Sequence, residues 1–395
     1  MTWTAADLAP HYSLFRVTER VLLTGHSHQA WPDVSFEGQQ RAWRDAAEFV
    51  DGKWERAEAQ ASLVRAGFRR LLNDPSGDIT LGQNTHELVT RLLSALPIAS
   101  RRTLISTDGE FHTIRRQLDR LREENVTIVT VPARPAETLA DRLAAAVDDR
   151  VACVLVSSVL YETAEIVPGL AHLAQACSRH GAALLVDAYH HLNVVPFDMA
   201  SLGLDEAFVT GGGYKYCQLG EGNAFLRLPA DCGLRPVLTG WFSAFGELER
   251  GDATDHVKYG RGPARFAGAT YDPTSHYRAA AVFEFHQRHG LTAERLREIS
   301  RHQVGFLKDA FERLDVDPDI ASVVPMPDER RAGFLAIRSP RAAEIVRGLG
   351  ARDVLTDCRG SVLRLGPAPY VGERQLRDAI EALDQAITAS KGLPR

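Results

Sequence analysis

Short apolar runs rich in β-branched residues recur along the first half of the chain, and stretches with helical periodicity separate several of them. The strand-like runs are residues 102–106, 126–131, 151–158, 183–189, 206–210 and 223–228. Helical stretches include 136–147 and 168–181, and the second opens on Pro168 and closes on Gly181. Because alternating strands and helices bury both faces of a mainly parallel sheet, the pattern predicts an α/β fold.

The pattern changes near residue 275. From residues 275–290 onward it consists of long amphipathic helices, interrupted by strand candidates at 333–339 and 362–367. We therefore predict a large α/β domain over residues 15–275 and a smaller α+β domain over 276–395, which residues 1–14 join. No repeat, low-complexity tract or long linker separates the two, so we expect them to pack closely.

Composition narrows the function classes. The chain has 395 residues, of which 45% are hydrophobic and 25% charged, with a net charge of −5. This balance argues against a nucleic-acid-binding surface, which needs a basic excess. No stretch reaches the roughly 18 apolar residues of a spanning helix, and the first residues lack a signal-peptide pattern. We expect no membrane association and a cytoplasmic location.

The five cysteines are scattered and form no C-x-x-C pair: Cys153, Cys177, Cys217, Cys232 and Cys358. A paired spacing is what a zinc or redox site would need. We interpret these residues as reduced structural thiols and expect no metal site.

Two predicted strands end close to residues that are candidates for catalysis or cofactor binding. The run "LLVDAYHH" ends on Asp187, with His190 three residues later, and "EAFVTGGGYKY" ends on glycines followed by Lys215. Ligand sites collect at the carboxyl ends of parallel strands. Taken singly, such an acid caps a turn and such a lysine is solvated. Together they are what pyridoxal phosphate requires, because the amine forms a Schiff base and the carboxylate pairs with the pyridine nitrogen.

Such a site also needs a group that binds the cofactor phosphate and an aromatic side chain that stacks on the cofactor ring. Asn84 and Thr85 precede the amphipathic run 85–96, and a helix N-terminus offers free N–H groups to an anion. Their alternative role is simple helix capping. Phe111, just after the strand candidate 102–106, is a candidate to stack on the cofactor ring, although a core position is the commoner fate of a phenylalanine.

Six motifs in this order resemble the kynureninase branch of the fold-type I, aminotransferase class V pyridoxal-phosphate enzymes. They are "GHSHQAWP", "SSVLYETAEI", "VDAYHHLNVVPFD", "GGGYKY", "TGWF" and "VLRLGPAPY". The resemblance covers nearly the whole chain. It implies a mainly parallel seven-stranded sheet in the large domain, bound pyridoxal 5'-phosphate, a small amino-acid substrate and a homodimer with shared active sites.

The resemblance also implies roles for individual residues. Lys215 would be the Schiff-base lysine, Asp187 the pyridinium partner and His190 a neighbour of the ring oxygen. The remaining cofactor-binding residues would be Asn84, Thr85, Phe111 and Tyr214, together with Trp241 and Thr270 reaching across the dimer interface. Arg364 would bind the substrate carboxylate as a planar bidentate fork, with His28 and Asp272 also at the substrate end.

The chain departs from the family mostly at the substrate end. Ile114 stands where the family has an acid, Asp272 stands near the position of an asparagine, and Glu162 replaces a base. The cofactor end is retained.

The resemblance implies a hydrolase of tryptophan catabolism that cleaves the Cβ–Cγ bond of kynurenine or a related γ-keto amino acid, giving alanine and an acid. The alternative is another class V enzyme, namely a β-lyase, an aminotransferase or a racemase. A cysteine desulfurase is less favoured, since Cys358 lies only six residues before Arg364.

Two alternatives of other classes carry less weight. A non-catalytic pyridoxal-phosphate-binding protein would not need Lys215, Asp187 and Arg364 together. A metallohydrolase would use His26, His28, His190 and His191, which lack an H-E-x-x-H pattern.

Overall fold

The computed structural model describes residues 4–250 and 256–390. In chain order the strands are β1 Val21–Leu22, β2 Asp78–Gly82, β3 Thr103–Thr107, β4 Thr127–Val131, β5 Val151–Ser157, β6 Ala183–Asp187, β7 Phe208–Gly212, β8 Ala224–Leu228, β9 Ser322–Val323, β10 Leu335–Arg338, β11 Val354–Leu355, β12 Asp357–Arg359 and β13 Val362–Leu365.

The α-helices are α1 Ala5–Leu8, α2 Val34–Phe49, α3 Lys53–Leu71, α4 Thr85–Ala95, α5 His112–Glu123, α6 Leu139–Ala145, α7 Leu170–Arg179, α8 Thr274–Arg288, α9 Ala293–Glu312, α10 Ala342–Gly350 and α11 Glu373–Ser390. Longer 3₁₀ segments are Ala9–Phe15, Trp241–Arg250 and Gly262–Phe266. No helix among the described residues combines the length and apolarity needed to cross a membrane.

The central sheet has seven strands in the order β2-β8-β7-β6-β5-β3-β4. All of its neighbouring pairs are parallel except the two that β8 makes with β2 and β7. This confirms the predicted mainly parallel seven-stranded sheet. Six of the strands match runs that the apolar pattern predicts; β2 is the one that the pattern misses.

Alternation along the strands builds a core on each face of the sheet. Ile105 and Val154 pack with α3, α6, α7 and α8 on one face. Their neighbours Leu104 and Leu155 pack with α4 and α5 on the other. Successive side chains of a strand point to opposite faces, so a strand buried on both sides is apolar throughout, as β5 is.

The smaller unit has its own core. Its antiparallel sheet has the order β12-β13-β10-β9 and packs with α9, α10 and α11. Residues 8–30 contribute Leu8 and Tyr12 to this core, and β1 pairs in parallel with β11. The α+β character predicted for this unit is therefore confirmed.

Helix α8 connects the two cores. Its residues Ala279 and Phe283 belong to the core of the large sheet, whereas Phe285 belongs to the core of the smaller unit. One continuous helix thus fixes the two sheets relative to each other. The position predicted for the domain division, between residues 275 and 276, falls within this helix.

Candidate active site

The carboxyl ends of three neighbouring strands bring the predicted residues together. Ser157 at the end of β5 pairs with Asp187 at the end of β6, and Asp187 pairs with Thr210 of β7. Lys215 follows β7 by three residues, in a turn closed by hydrogen bonds from Leu219 N to Gly213 O and from Gln218 N to Lys215 O. The sheet register therefore places the acid and the amine at one edge.

The Lys215 amine is buried among aromatic rings. Its Nζ lies 5.5 Å from the ring centre of Phe111, 4.8 Å from that of Tyr189 and 5.7 Å from that of Tyr214. Its hydrogen-bond partner is His190 Nε2, at 2.5 Å. No described carboxylate forms an ion pair with the amine within 4 Å, so aromatic faces and one imidazole make up its immediate environment.

Burial sets the protonation of this cluster. It lowers the pKa of Lys215 to about 7; Asp187 opposes the shift, while Arg364 and Arg359 add to it. Burial and the nearby Lys215 also lower the pKa of His190 well below its ordinary value. A neutral amine is therefore available near pH 7, and a neutral amine is the nucleophilic form.

Asp187 is held by the backbone around it. Its Oδ1 accepts a hydrogen bond of 2.8 Å from Tyr189 N, and its carbonyl oxygen accepts one of 2.9 Å from Ser158 N. Burial raises the pKa of Asp187, while the Tyr189 hydrogen bond and the Lys215 charge oppose this. The carboxylate has unused acceptor capacity, which suits a cationic N–H partner.

The cluster fits pyridoxal phosphate. Among the described residues, His190 Nδ1 is buried without a hydrogen-bond partner, so it is available to a bound group. The rings of Phe111 and Tyr189 suit a flat aromatic group beside the amine. The roles that the sequence resemblance implies for Lys215 and His190 stay predictions.

The start of α4 lies at the same edge of the sheet. Gly82 of β2 and Gly212 of β7 both pair with Ala224 of β8, so the chain that follows Gly82 lies near the turn that carries Lys215. Thr85 is the first residue of α4, and Asn84 Oδ1 caps the helix by accepting from Glu87 N at 2.9 Å. The alternative role of Asn84 as a helix cap is thus present. The helix N-terminus can still bind an anion through backbone N–H groups.

Arg364 lies under the site in a charged network. It is 2% exposed, and its Nε and Nη2 donate to the two carboxylate oxygens of Asp357 at 2.8 and 2.5 Å. Its Nη1 donates to the carbonyl oxygen of Tyr161 at 2.8 Å. Arg364 therefore forms a buried salt bridge with Asp357.

His28 lies at the outer side of the site. Its ring stacks on that of Tyr214 with the centres 5.0 Å apart and the planes at 20°. Its Nε2 is 3.7 Å from Glu221 Oε1, with both side chains largely exposed.

Three further predicted residues line two cavities of the large unit. Trp241 and Thr270 line a cavity of about 670 Å³ beside β2, with Trp241 46% exposed. Asp272 Oδ1 accepts from Thr274 N and Oγ1 at the start of α8 and lines a separate cavity of about 370 Å³. Trp241 and Thr270 share their cavity with Gly82 and Gln83, next to the start of α4.

Comparisons with known proteins show which families this chain resembles. Residues 296–383 match the family described as Kynureninase C-terminal domain. Kynureninase of Bacillus anthracis is 30% identical over 257 residues, covering 61% of this chain and 56% of its own length. Kynureninase of Bacillus mycoides (strain KBAB4) is 28% identical over 255 residues with the same coverage. The chain is kynureninase-like. The alignment spans only about half the length of these curated kynureninases.

Other similar proteins align with a larger part of this chain. An uncharacterized aminotransferase, YcbU of Bacillus subtilis (strain 168), is 22% identical over 343 residues, covering 86% of this chain and 87% of its own. A C-DES mutant with glycine covalently linked to its pyridoxal-phosphate cofactor superposes with a TM-score of 0.83 at 19% identity, covering 95% and 98% of the two chains. The cysteine desulfurase CsdA of Escherichia coli gives 0.81 at 16% identity, covering 98% and 100%. The fold is that of the fold-type I pyridoxal-phosphate enzymes.

Sequence reasoning missed three residues of this candidate site. Tyr189, between Asp187 and His190, lies beside the amine; its place directly after a strand end was the available signal. Glu110 is fully buried and accepts from Thr107 Oγ1 and from Ser157 N and Oγ at 2.7, 3.1 and 2.5 Å. Asp357 was not singled out because its partner, Arg364, lies seven residues away across a hairpin.

The four histidines weighed as a metal site do not form one. His190 and His26 are buried in the Lys215 and Asp357 clusters, His28 is exposed, and His191 contacts Ser158 and the carbonyl oxygen of Pro196. Among the described residues, no group of three His, Cys, Asp or Glu side chains is arranged to hold a metal ion.

Proposed function

We propose that this protein is a pyridoxal-phosphate-dependent, kynureninase-like hydrolase. Its substrate would be kynurenine or a related γ-keto amino acid, cleaved between Cβ and Cγ to give alanine and an acid. The observation that carries the proposal is the Lys215 amine: it is buried, has a pKa lowered to about 7, contacts His190 and follows the strand next to Asp187.

Each residue has a role that follows from its environment. Lys215 would hold the cofactor covalently, and its neutral amine would take the proton from the substrate Cα. Asp187 pairs with the ring nitrogen and keeps it protonated. When bound, pyridoxal phosphate supplies an electron sink for the charge left at Cα. Phe111 faces the ring, and His190 donates or accepts at the ring oxygen.

The anionic groups of cofactor and substrate have separate partners in this proposal. Thr85, Asn84 and Tyr214 would hold the cofactor phosphate, together with the partner's Trp241 and the partner's Thr270. Arg364 meets the substrate carboxylate, and His28 and Asp272 contribute to the substrate end. A homodimer is therefore part of the proposal, and the exposure of Trp241 in a single chain supports it.

A lyase or transferase acting on another amino acid is the second candidate. It is favoured by the structural likeness to C-DES, which is described as a cystine C–S lyase, and by the altered residues Ile114, Glu162 and Asp272.

Borohydride reduction of the purified protein with pyridoxal phosphate, followed by peptide mapping, tests the cofactor. The label should lie on Lys215, and Lys215→Ala should abolish it. Lys308→Ala is the matched control, because Lys308 pairs with Asp328 away from the strand ends. A label on another lysine would refute the assignment.

A substrate panel tests the reaction. Kynurenine, 3-hydroxykynurenine, cystine and common amino acids are supplied, and alanine, sulfide and keto acids are measured. Alanine from the first two supports the hydrolase. Sulfide or keto acid in its place supports the second candidate.

A further inference from the structure

Asp357 lies directly opposite Arg364 in the hairpin of β12 and β13. Arg359 pairs with Val362 in the same ladder, so residues 357, 359, 362 and 364 share one face of the hairpin. That face bears one carboxylate and two guanidinium groups, and both guanidinium charges act on Lys215 and His190.

Only some of the N–H donors of the Arg364 guanidinium have an acceptor among the described residues. A guanidinium has five N–H donors. Asp357 takes one from Nε and one from Nη2, and Tyr161 O takes one from Nη1. Among the described residues no further acceptor takes the other two, so one N–H on each Nη atom is left. Two such donors can bind the two oxygens of a carboxylate.

His26 fixes Asp357 from the other side. Its Nε2 lies 2.8 Å from Asp357 Oδ1, and its ring is fully buried against Phe334. Burial lowers the pKa of His26 to about 4, so the neutral ring donates Nε2–H to the carboxylate. Although burial alone would raise it, hydrogen bonds from His26 and Arg364 hold the pKa of Asp357 well below its ordinary range.

The Phe334 ring lies below the whole arrangement. The Arg364 guanidinium is 5.7 Å from its centre, and the His26 and His190 rings are 4.7 and 6.2 Å from it. Arg364 is thus fixed on three sides: by a carboxylate edge, by a carbonyl from the large unit and by an aromatic face. The freedom to turn its last two donors is small.

We propose that Asp357 is a positioning residue for substrate binding: its carboxylate orients the Arg364 guanidinium so that one N–H on each Nη atom faces the substrate carboxylate. The inference rests on the proposed function, in which Arg364 binds that carboxylate. Asp357 also cancels one of the two positive charges of the hairpin face. Orientation and charge therefore predict different effects when the carboxylate is removed.

Asp357→Asn separates the two effects. The amide keeps the size of the side chain but loses the negative charge and one acceptor. Binding of propionate, a carboxylate without an amine, should weaken because the Arg364 guanidinium is no longer held in one orientation. The change in charge alone would make this binding tighter, because the site becomes more positive. Turnover of the amino-acid substrate should fall by at least about tenfold in kcat, because the fork is no longer held in one orientation.

The measurements are calorimetry of propionate binding to the purified protein, and kcat and KM on the active amino acid. Asp357→Glu should restore part of kcat, and Asp384→Asn, on the exposed face of α11, should change nothing. Arg364→Lys should weaken propionate binding by about tenfold or more, through the lost bidentate contact.

Two results would overturn the inference. One is a kcat of Asp357→Asn within twofold of that of the unaltered protein. The other is a propionate affinity that is insensitive to Arg364→Lys. The calorimetric result does not depend on turnover, so a protein that takes no pyridoxal phosphate would refute the proposed function while propionate binding still decides on Arg364.

Discussion

Lys215 Nζ and His190 Nε2 lie 2.5 Å apart, and both side chains are buried. Two positive charges at that distance would be strongly unfavourable, and burial disfavours even one. The pKa of each group is accordingly lowered. The pair is therefore neutral above pH 7, and the amine changes protonation within the physiological range.

Covalent attachment of pyridoxal phosphate should depend on this protonation. Only the neutral amine attacks the aldehyde, so the attachment rate should rise with pH and level off above about 7, where Lys215 loses its proton. In Asp187→Asn the favourable carboxylate charge is gone, and the inflection should move to lower pH. Stopped-flow absorbance of the cofactor-free protein gives the profile.

An inflection above pH 9 in the unaltered protein would mean that the amine behaves as an ordinary exposed lysine. An inflection that Asp187→Asn leaves in place would mean that Asp187 does not interact electrostatically with Lys215.

Much of the large sheet follows from the sequence because its strands are continuous apolar runs. Strand β5 is buried at every position. A short continuous apolar run between predicted helices is typical of a parallel strand that is covered on both faces. β2 was missed because "DITLG" has only two apolar residues in its interior and pairs at the sheet edge.

The Lys215 cluster was partly predictable for a related reason. Asp187, His190 and Lys215 follow apolar strands directly, so strand order alone brings them to one edge. The Asp357 and Arg364 pair was not predictable, because it depends on the register of a short hairpin.

Glu110→Gln should change stability in a pH-dependent way. Burial raises the pKa of Glu110 to about 7, while hydrogen bonds from Ser157 and Thr107 oppose the shift. The folded state therefore keeps a proton that the unfolded state loses from about pH 4.5, so this residue costs stability as pH rises from 4.5 to 7. The cost reaches on the order of 3 kcal/mol at most.

Glutamine removes that titration. The stability of Glu110→Gln relative to the unaltered protein should become more favourable between pH 5 and pH 8, as measured by urea unfolding at both values. Glu55→Gln, on the exposed face of α3, is the control and should show no such trend. A difference that is constant with pH would show that Glu110 does not change ionisation on folding.

Shared active sites can be tested by mixing inactive variants. If Trp241 acts in the partner's site, a dimer of one Lys215→Ala chain and one Trp241→Ala chain has one intact site and one doubly altered site. Random exchange should then restore about a quarter of the unaltered activity. Each variant alone should stay near background. Mixtures that stay inactive, although sedimentation shows that the chains exchange, would assign Trp241 to its own subunit.

Gly212→Ala should disturb the site without touching a reactive group. A Cβ at this position would come 2.3 Å from Tyr189 Oη, a distance that no real contact allows. Tyr189 must move, and its ring lies 4.8 Å from Lys215 Nζ. We expect a loss of about 1–3 kcal/mol in stability from overpacking, together with slower cofactor attachment because the aromatic wall beside the amine shifts.

Gly305→Ala is the matched control for that substitution. Gly305 lies inside α9, and a Cβ there would meet no atom within 4 Å. Alanine should therefore stabilise the helix by about 0.5–1 kcal/mol and leave cofactor attachment unchanged. If Gly212→Ala attaches the cofactor at the same rate as Gly305→Ala, then the position of Tyr189 does not affect the reactivity of Lys215. The aromatic rings around the amine would then contribute only to packing.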